Sequence, residues 1–156
     1  MSVWRGNRRR RGWREGASAV EFALLAPLLA LVLAGTFELG TYLYQLSALQ
    51  KSLRAGAMYG ARMTFPLSDA ATLELSNLVK TGQTAAGGTY LLNGWTDGGA
   101  SLTPKFRTYT TDGQTVDILR LEASVPYAPL LPGLLDGMGI TKMTLTATHE
   151  QVRIGS

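Results

Sequence analysis

Apolar residues follow three different rhythms along this chain. From Ala19 to Phe37 they are nearly continuous: AVEFALLAPLLALVLAGTF holds one charge, Glu21, and Phe22 to Phe37 hold none. Past Glu38 the run narrows to a stripe. Leu39, Tyr42, Leu46, Leu49, Leu53, Gly56 and Gly60 recur at alternating intervals of three and four, an a/d register, while Gln45, Gln50, Lys51, Ser52 and Arg54 fall between them. Both rhythms are helical. They predict one helix from about Ala17 to Arg62, with Pro27 as its only breaker. A proline there removes the hydrogen bond to the Ala23 carbonyl and kinks the helix. About 20 residues suffice to cross a hydrocarbon core of about 30 Å, so the rest of the helix stands outside the bilayer.

The stripe admits two readings: packing on the chain's own domain, or packing against helices of other subunits. Gly56 and Gly60 each cost a helix about 1 kcal/mol relative to alanine. A close backbone approach on that face would explain their presence; the plain reading of Gly60 is its place near a fraying helix end.

Thr64 to Asp69 (TFPLSD) ends the helix, because Phe65 precedes a proline and is pushed out of the α region. Ser68 or Asp69 caps a second helix, Ala70 to Thr81, with Leu73, Leu75, Leu78 and Val79 as its apolar positions and Glu74 in its first turn. Gly82 to Ser101 reads as a glycine-rich loop around a short Tyr90–Trp95 strand; a mobile loop is the plain reading, and the large apolar Tyr90 and Trp95 within it offer a partner-binding tip. The period then shifts to two. Lys105–Thr111 and Thr115–Val125 form strands joined by the hairpin signal Asp112-Gly113. Leu119, Leu121, Ala123 and Val125 share one face, and Arg120, Glu122 and Ser124 the other. Pro126 to Gly139 is expected to be neither regular strand nor helix. Its Tyr127, Leu130, Leu131, Leu134, Leu135 and Met138 make it a buried or partner-covered connection. A last strand runs from Thr141 to Ile154, with a bulge near His149–Gln151, because Val152 and Ile154 have the opposite parity to Met143, Leu145 and Ala147. The fold class is α+β: a long N-terminal helix, transmembrane and then extramembrane, packed on a small antiparallel sheet.

Charge changes the picture at one end. The chain carries a formal +4, but residues 1–16 hold six arginines and Glu15, a balance of +5, which leaves −1 for the rest. Nucleic-acid binding loses its electrostatic support, since the folded part has no basic excess. Directly before an apolar helix, Arg5, Arg8, Arg9, Arg10, Arg11 and Arg14 read as a positive-inside anchor. Residues 38–52 carry only Glu38 and Lys51, so the asymmetry puts residues 38–156 on the side away from the cytoplasm. A cleaved secretory signal is the competing reading, with Ala34-Gly35-Thr36 as its only tolerable site. The sixteen-residue apolar run and the helical pattern that continues past Glu38 count against it.

Catalytic chemistry has no visible seat. The chain lacks cysteine, and its one histidine, His149, sits in strand alternation beside Glu150. No metal-ligand spacing, phosphate loop or nucleophile motif appears. Asp112, Asp117 and Glu122 gather near one hairpin, where a solvated face is the plain reading and a Ca²⁺ site has no motif behind it. No enzyme, cofactor or metal is expected.

Glu21 is the residue that demands an explanation. A carboxylate at mid-bilayer costs about 2.5–3.5 kcal/mol, less near the interface, and marks a functional site by default. Glu21 lies five positions past Gly16, in GASAVEF, directly behind the basic leader. This arrangement resembles a class III prepilin signal, in which a peptidase cuts after glycine and leaves a glutamate at the fifth mature position, followed by an aromatic. The cut would fall between Gly16 and Ala17; the aromatic is Phe22, where the major pilins of the tight-adherence (Flp) system usually have tyrosine. The longer string GASAVEFALLAPLLALVLAGTFELG, followed by LRAGAMYGAR, resembles the TadE-like pseudopilins of that system. Beyond Arg62 the resemblance rests on size and a strand-rich tail.

The resemblance implies a minor pilin-like subunit in the bacterial cytoplasmic membrane that helps assemble an adhesive or secretory pilus. Its partners would be a prepilin peptidase, other pilin-like subunits, the pilus assembly machinery and the membrane, with no nucleic acid. It implies a leader over residues 1–16, a transmembrane segment over 17–38 and an extracytoplasmic domain over 39–156. Glu21 and Phe22 would serve assembly, and the stripe from Leu39 to Gly60 helix packing. The alternative is an uncleaved single-pass protein whose outer domain binds a ligand or cell-wall polymer, with Glu21 at the headgroup level.

Overall fold

The computed structural model describes residues 8–111, 113–140 and 142–153. The elements in chain order are α1 (Arg8–Gly60), α2 (Asp69–Thr81), a 3-10 turn (Asn93–Thr96), β1 (Ser101–Thr111), β2 (Gln114–Pro126), α3 (Pro132–Gly137) and β3 (Thr144–Val152). The fold class is α+β, a long N-terminal helix plus a small antiparallel sheet. The chain divides into two compact units, Met1–Leu39 and Gly40–Ser156.

In the first unit the described residues belong to α1, which starts at Arg8 and not near Ala17. The arginine-rich leader contains good helix formers, and nothing in it but glycine interrupts the α conformation. Pro27 lies inside the helix.

In the second unit, α1 ends by tightening. The Arg62 N–H donates to the Tyr59 carbonyl and the Met63 N–H to that of Gly60, both i→i−3 bonds. Ser68 caps α2, accepting from the Ala71 N–H at 3.2 Å. Gly82 closes α2 in the left-handed conformation, φ 78°, and donates to the Leu78 carbonyl. Leu75 and Val79 of α2 turn inward, and Leu73 is exposed.

The sheet order is β1-β2-β3, antiparallel throughout, with β2 central. Gly113 supplies the positive φ of the β1–β2 hairpin; Asp112 lies outside the described residues, as do Thr141 and Ile154. The expected alternation of β2 holds: Leu119, Leu121, Ala123 and Val125 are buried. Leu49, Leu53 and Ala57 of α1, Leu75 and Val79 of α2, and Leu145 and Ala147 of β3 join them in one core, together with Leu92, Trp95 and Tyr127 from the connections.

Three expectations are corrected. Tyr90–Trp95 is no strand. Its second half forms the 3-10 turn, where Gly94 passes so close to β2 that a β-carbon would overlap the Pro126 carbonyl oxygen. That approach seats Trp95 in the core, while Tyr90 stays exposed. Pro126–Gly139 contains a helix, α3, because Pro132 stands in its first turn, where no N–H is required. β3 has no bulge: pairing runs unbroken from Pro126↔Thr144 to Ile118↔Val152. His149 and Gln151 keep the inner parity at a half-buried end of the sheet that tolerates polar groups, and Val152 stays exposed on the outer face.

Charges on the outer face of the sheet pair with one another. Lys105 donates to Glu122, and Arg120 bridges Glu122 and Glu150 at 2.8 and 3.3 Å, the shorter as an ion pair without hydrogen-bond alignment. The Lys105 ammonium holds the Glu122 carboxyl below the usual carboxylate range, with Arg120 adding to the effect. At the hairpin end Asp117 accepts from Thr108 Oγ1 at 2.7 Å and pairs with Arg153 at 3.5 Å.

Two outcomes test this packing. Gly94→Ala is expected to destabilise the domain most, since the clash is with backbone. Gly56→Ala should cost about 1–3 kcal/mol, because its new methyl overlaps the stiff Val79 side chain and overpacking exceeds the gain in helix propensity. Gly35→Ala and Gly40→Ala, with nothing within 4 Å, should not destabilise; urea unfolding of the four variants checks the order. For Glu122, the folded pKa is lowered, so its stabilisation is present above the ordinary glutamate range and disappears as pH falls through the depressed value. Glu122→Gln should therefore lower the unfolding midpoint at neutral pH and leave it unchanged in strong acid.

Candidate functional site

Gly16, Ala17, Glu21 and Phe22 all lie on α1 with exposed side-chain positions. Ala17 and Glu21 are four apart and share one face of the helix. Val20, Phe22, Leu24, Leu28, Leu29 and Val32 around and beyond them are more than half exposed. Among the described residues this is the one helix long and apolar enough to cross a membrane; its most apolar window has a mean hydropathy of 2.2 and no buried residue. An apolar surface of this kind meets lipid or other apolar helices more favourably than water. Its one hydroxyl between Phe22 and Phe37 is satisfied inside the helix: Thr36 Oγ1 donates to the Val32 carbonyl at 2.8 Å.

Gly16 is unusual in what it does not do. Among the described residues a β-carbon built there meets nothing within 4 Å, and its backbone is helical. No packing among the described residues, and no positive φ, calls for glycine at this position. Gly56 and Gly60 differ. A β-carbon at Gly56 overlaps Val79 and approaches Leu121 to 3.4 Å, and one at Gly60 lies 2.6 Å from Leu119 and 2.7 Å from Leu75.

The rest of the stripe separates in the same way. Leu49 and Leu53 are fully buried, and Leu46 is half-buried against the core. Tyr42 meets the Tyr127 ring edge-on at 5.5 Å. From Tyr42 to Gly60, therefore, the chain's own α2, sheet and connections take up the stripe. Leu39 belongs to the other unit and is 59% exposed. Exposed on this part of α1 are Leu43, Tyr44, Lys51, Arg54 and Met58.

Two features have no signal in the sequence. Glu38 is buried, 5% exposed, although it follows directly on an apolar run whose side chains are exposed. A cleft of about 460 Å³ opens in the second unit, lined by Asp97, Pro126, Tyr127, Pro129, Leu135 and Asp136 among others. Its walls come from segments up to forty positions apart, so no local pattern announces it.

Asp117 and Glu122 are engaged by cations, and among the described residues no group of three or more His, Asp or Glu side chains is placed to hold a metal. His149 is half-buried opposite Leu121. The Tyr59 hydroxyl donates to Glu74 at 2.6 Å, which holds the phenol above its usual range.

No curated protein and no solved structure matches the chain. Residues 16–58 match the family model described as TadE-like protein. The match opens on Gly16, takes in Glu21, Phe22 and the stripe as far as Gly56, and ends before α2 and the sheet. Over residues 16–58, then, the N-terminal helix is similar to the family described as TadE-like protein.

Proposed function

We propose that this chain is a minor pilin-like subunit of a Tad (Flp) pilus, anchored by residues 17–38 and processed by a prepilin peptidase between Gly16 and Ala17. The observation that carries the reading is the pairing of Gly16 with Glu21. Gly16 costs the helix about 1 kcal/mol relative to alanine and makes room for nothing among the described residues. A glycine with no use among them is explained by an external one: it lets the backbone enter a peptidase cleft. The bond lies within α1, so cutting requires a local unwinding that glycine eases.

Cleavage turns a neutral peptide nitrogen at Ala17 into an ammonium. That charge in one subunit can pair with Glu21 of a neighbour as helices bundle. An unpaired buried charge costs several kcal/mol, so the pair favours docking of subunits over dispersal in lipid. The leader, at +5, stays on the cytoplasmic side, and Gly40–Ser156 stands outside.

Intact-mass measurement of the membrane-extracted protein should find a chain that begins at Ala17. A chain that keeps the leader, or one that begins after Ala34, contradicts the reading. Glu21→Ala should leave insertion and the precursor-to-mature ratio on an immunoblot unchanged and reduce piliation severely. Normal pili in that variant remove any assembly role for the carboxylate.

A further inference from the structure

We propose that copies of this chain dock head to tail: the exposed face of α1 that bears Lys51, Arg54, Met58 and Arg62 in one copy seats on the cleft lined by Asp97 and Asp136 in the next. The proposal rests on the pilus-subunit reading above and names a contact within it.

The charge on this part of α1 is one-sided. Residues 39–68 hold Lys51, Arg54 and Arg62 and no acidic residue. Intervals of three, four and four set Lys51, Arg54, Met58 and Arg62 along one face, with Arg62 in the tightened turn that follows Gly60. The three cations are exposed and form no ion pair among the described residues. Between Arg54 and Arg62 stands Met58, an apolar side chain 45% exposed. The face is an apolar knob flanked by positive charge.

The cleft is its inverse. Pro126, Tyr127, Pro129 and Leu135 give it apolar walls, and its volume of about 460 Å³ leaves room for an inserted side chain. Asp97 and Asp136 are both exposed, and neither carboxylate forms an ion pair or a hydrogen bond among the described residues. Lys142 is the one cation of the lining, so two acids and one base leave it at −1.

Opposite charge around a knob and a hole makes the two surfaces complementary. Their placement decides the symmetry. Leu49, Leu53 and Ala57 pack α1 on the face of the sheet that carries Leu119 and Leu121, so the face with Lys51 and Arg54 points away from the sheet. Ser124, Pro126 and Thr144 line the cleft and belong to the other face of the sheet. The two surfaces therefore lie on opposite sides of the second unit. A two-fold pair cannot join them; the contact is heterologous and passes from copy to copy, as a fibre requires. A second copy is favoured as the occupant because the chain itself carries both halves of the contact.

The chain has no cysteine, so each introduced cysteine reports one position. Ala55→Cys lies on the exposed α1 face, and Met138→Cys lies between the cleft residues Asp136 and Ile140; neither changes a charge. Full-length chains with different tags, one with each cysteine, are co-expressed in cells that make the pilus and treated with a short bismaleimide. A cross-linked band bearing both tags should exceed the bands that join two Ala55→Cys copies or two Met138→Cys copies. Lys51→Glu with Arg54→Glu in the first chain should weaken the mixed band at least about tenfold, and Asp97→Lys with Asp136→Lys in the second should restore it. Recovery in the swapped pair also shows that the reversed chains fold. A mixed band that ignores the reversal, or that fails to return in the swapped pair, overturns the proposal. Equal joining of Ala55→Cys to itself assigns the face to a two-fold pair and overturns it as well, as does a band with one tag at the mass of a different protein. Absence of the mixed band in chains that begin at Ala17 and support normal pili overturns the contact and leaves the subunit reading in place. Its absence in chains that keep the leader overturns that reading too.

Discussion

Leu119 and Leu121 of β2, with Leu75 and Val79 of α2, fill the side of α1 on which Gly56 and Gly60 carry no side chains. The folded part of the chain depends on this approach. β2 is the only strand that pairs with both others, so wherever it is seated, β1 and β3 follow. A buried leucine or valine contributes about 1.5–3 kcal/mol, and four buried side chains meet at two missing methyl groups. The helical cost of two glycines is small beside the layer of apolar contact they permit.

In the proposed function the same helix serves two solvents. Up to Phe37 its apolar side chains face outward on every side; from Tyr42 onward one face is covered and the other carries Lys51 and Arg54. A helix that is hydrophobic all round belongs in lipid or among other apolar elements, and one with a single apolar stripe belongs against a domain. The division of the chain at Leu39 falls where the first pattern gives way to the second.

The proposed function puts its weight on the N-terminal helix, while the charged groups of the sheet are occupied with each other. Lys105, Arg120, Glu122 and Glu150 form one chain of pairs, and Asp117 and Arg153 another. Glu21 stands apart from them, a carboxylate on an apolar helix five positions past a glycine that makes room for nothing among the described residues. In the proposed mechanism the chemistry is a single peptide cleavage, and its consequence is electrostatic: it creates a cation with which this carboxylate can pair.

Local period and local punctuation were sufficient for much of this molecule. A continuous apolar run, a three-four stripe, a Ser68 cap and the alternation of Leu119 to Val125 each depend on neighbours in the chain, and each element formed where its pattern lies. The Gly16–Glu21 spacing that the proposed function rests on is likewise a local pattern. What failed depended on residues far apart in sequence. Trp95 sits in the core because Gly94 meets the backbone at Pro126, and nothing within the loop specifies that contact. The parity of Val152 suggested a bulge, but register with β2 overrode it, since an unbroken ladder keeps every backbone bond and costs only one exposed valine. The stripe on α1 was compatible with an internal or an external partner. Only the folded chain assigned Tyr42 to Gly60 to its own core, because a pattern of apolar positions states that a face must be covered and leaves the cover to whatever the tertiary structure brings against it.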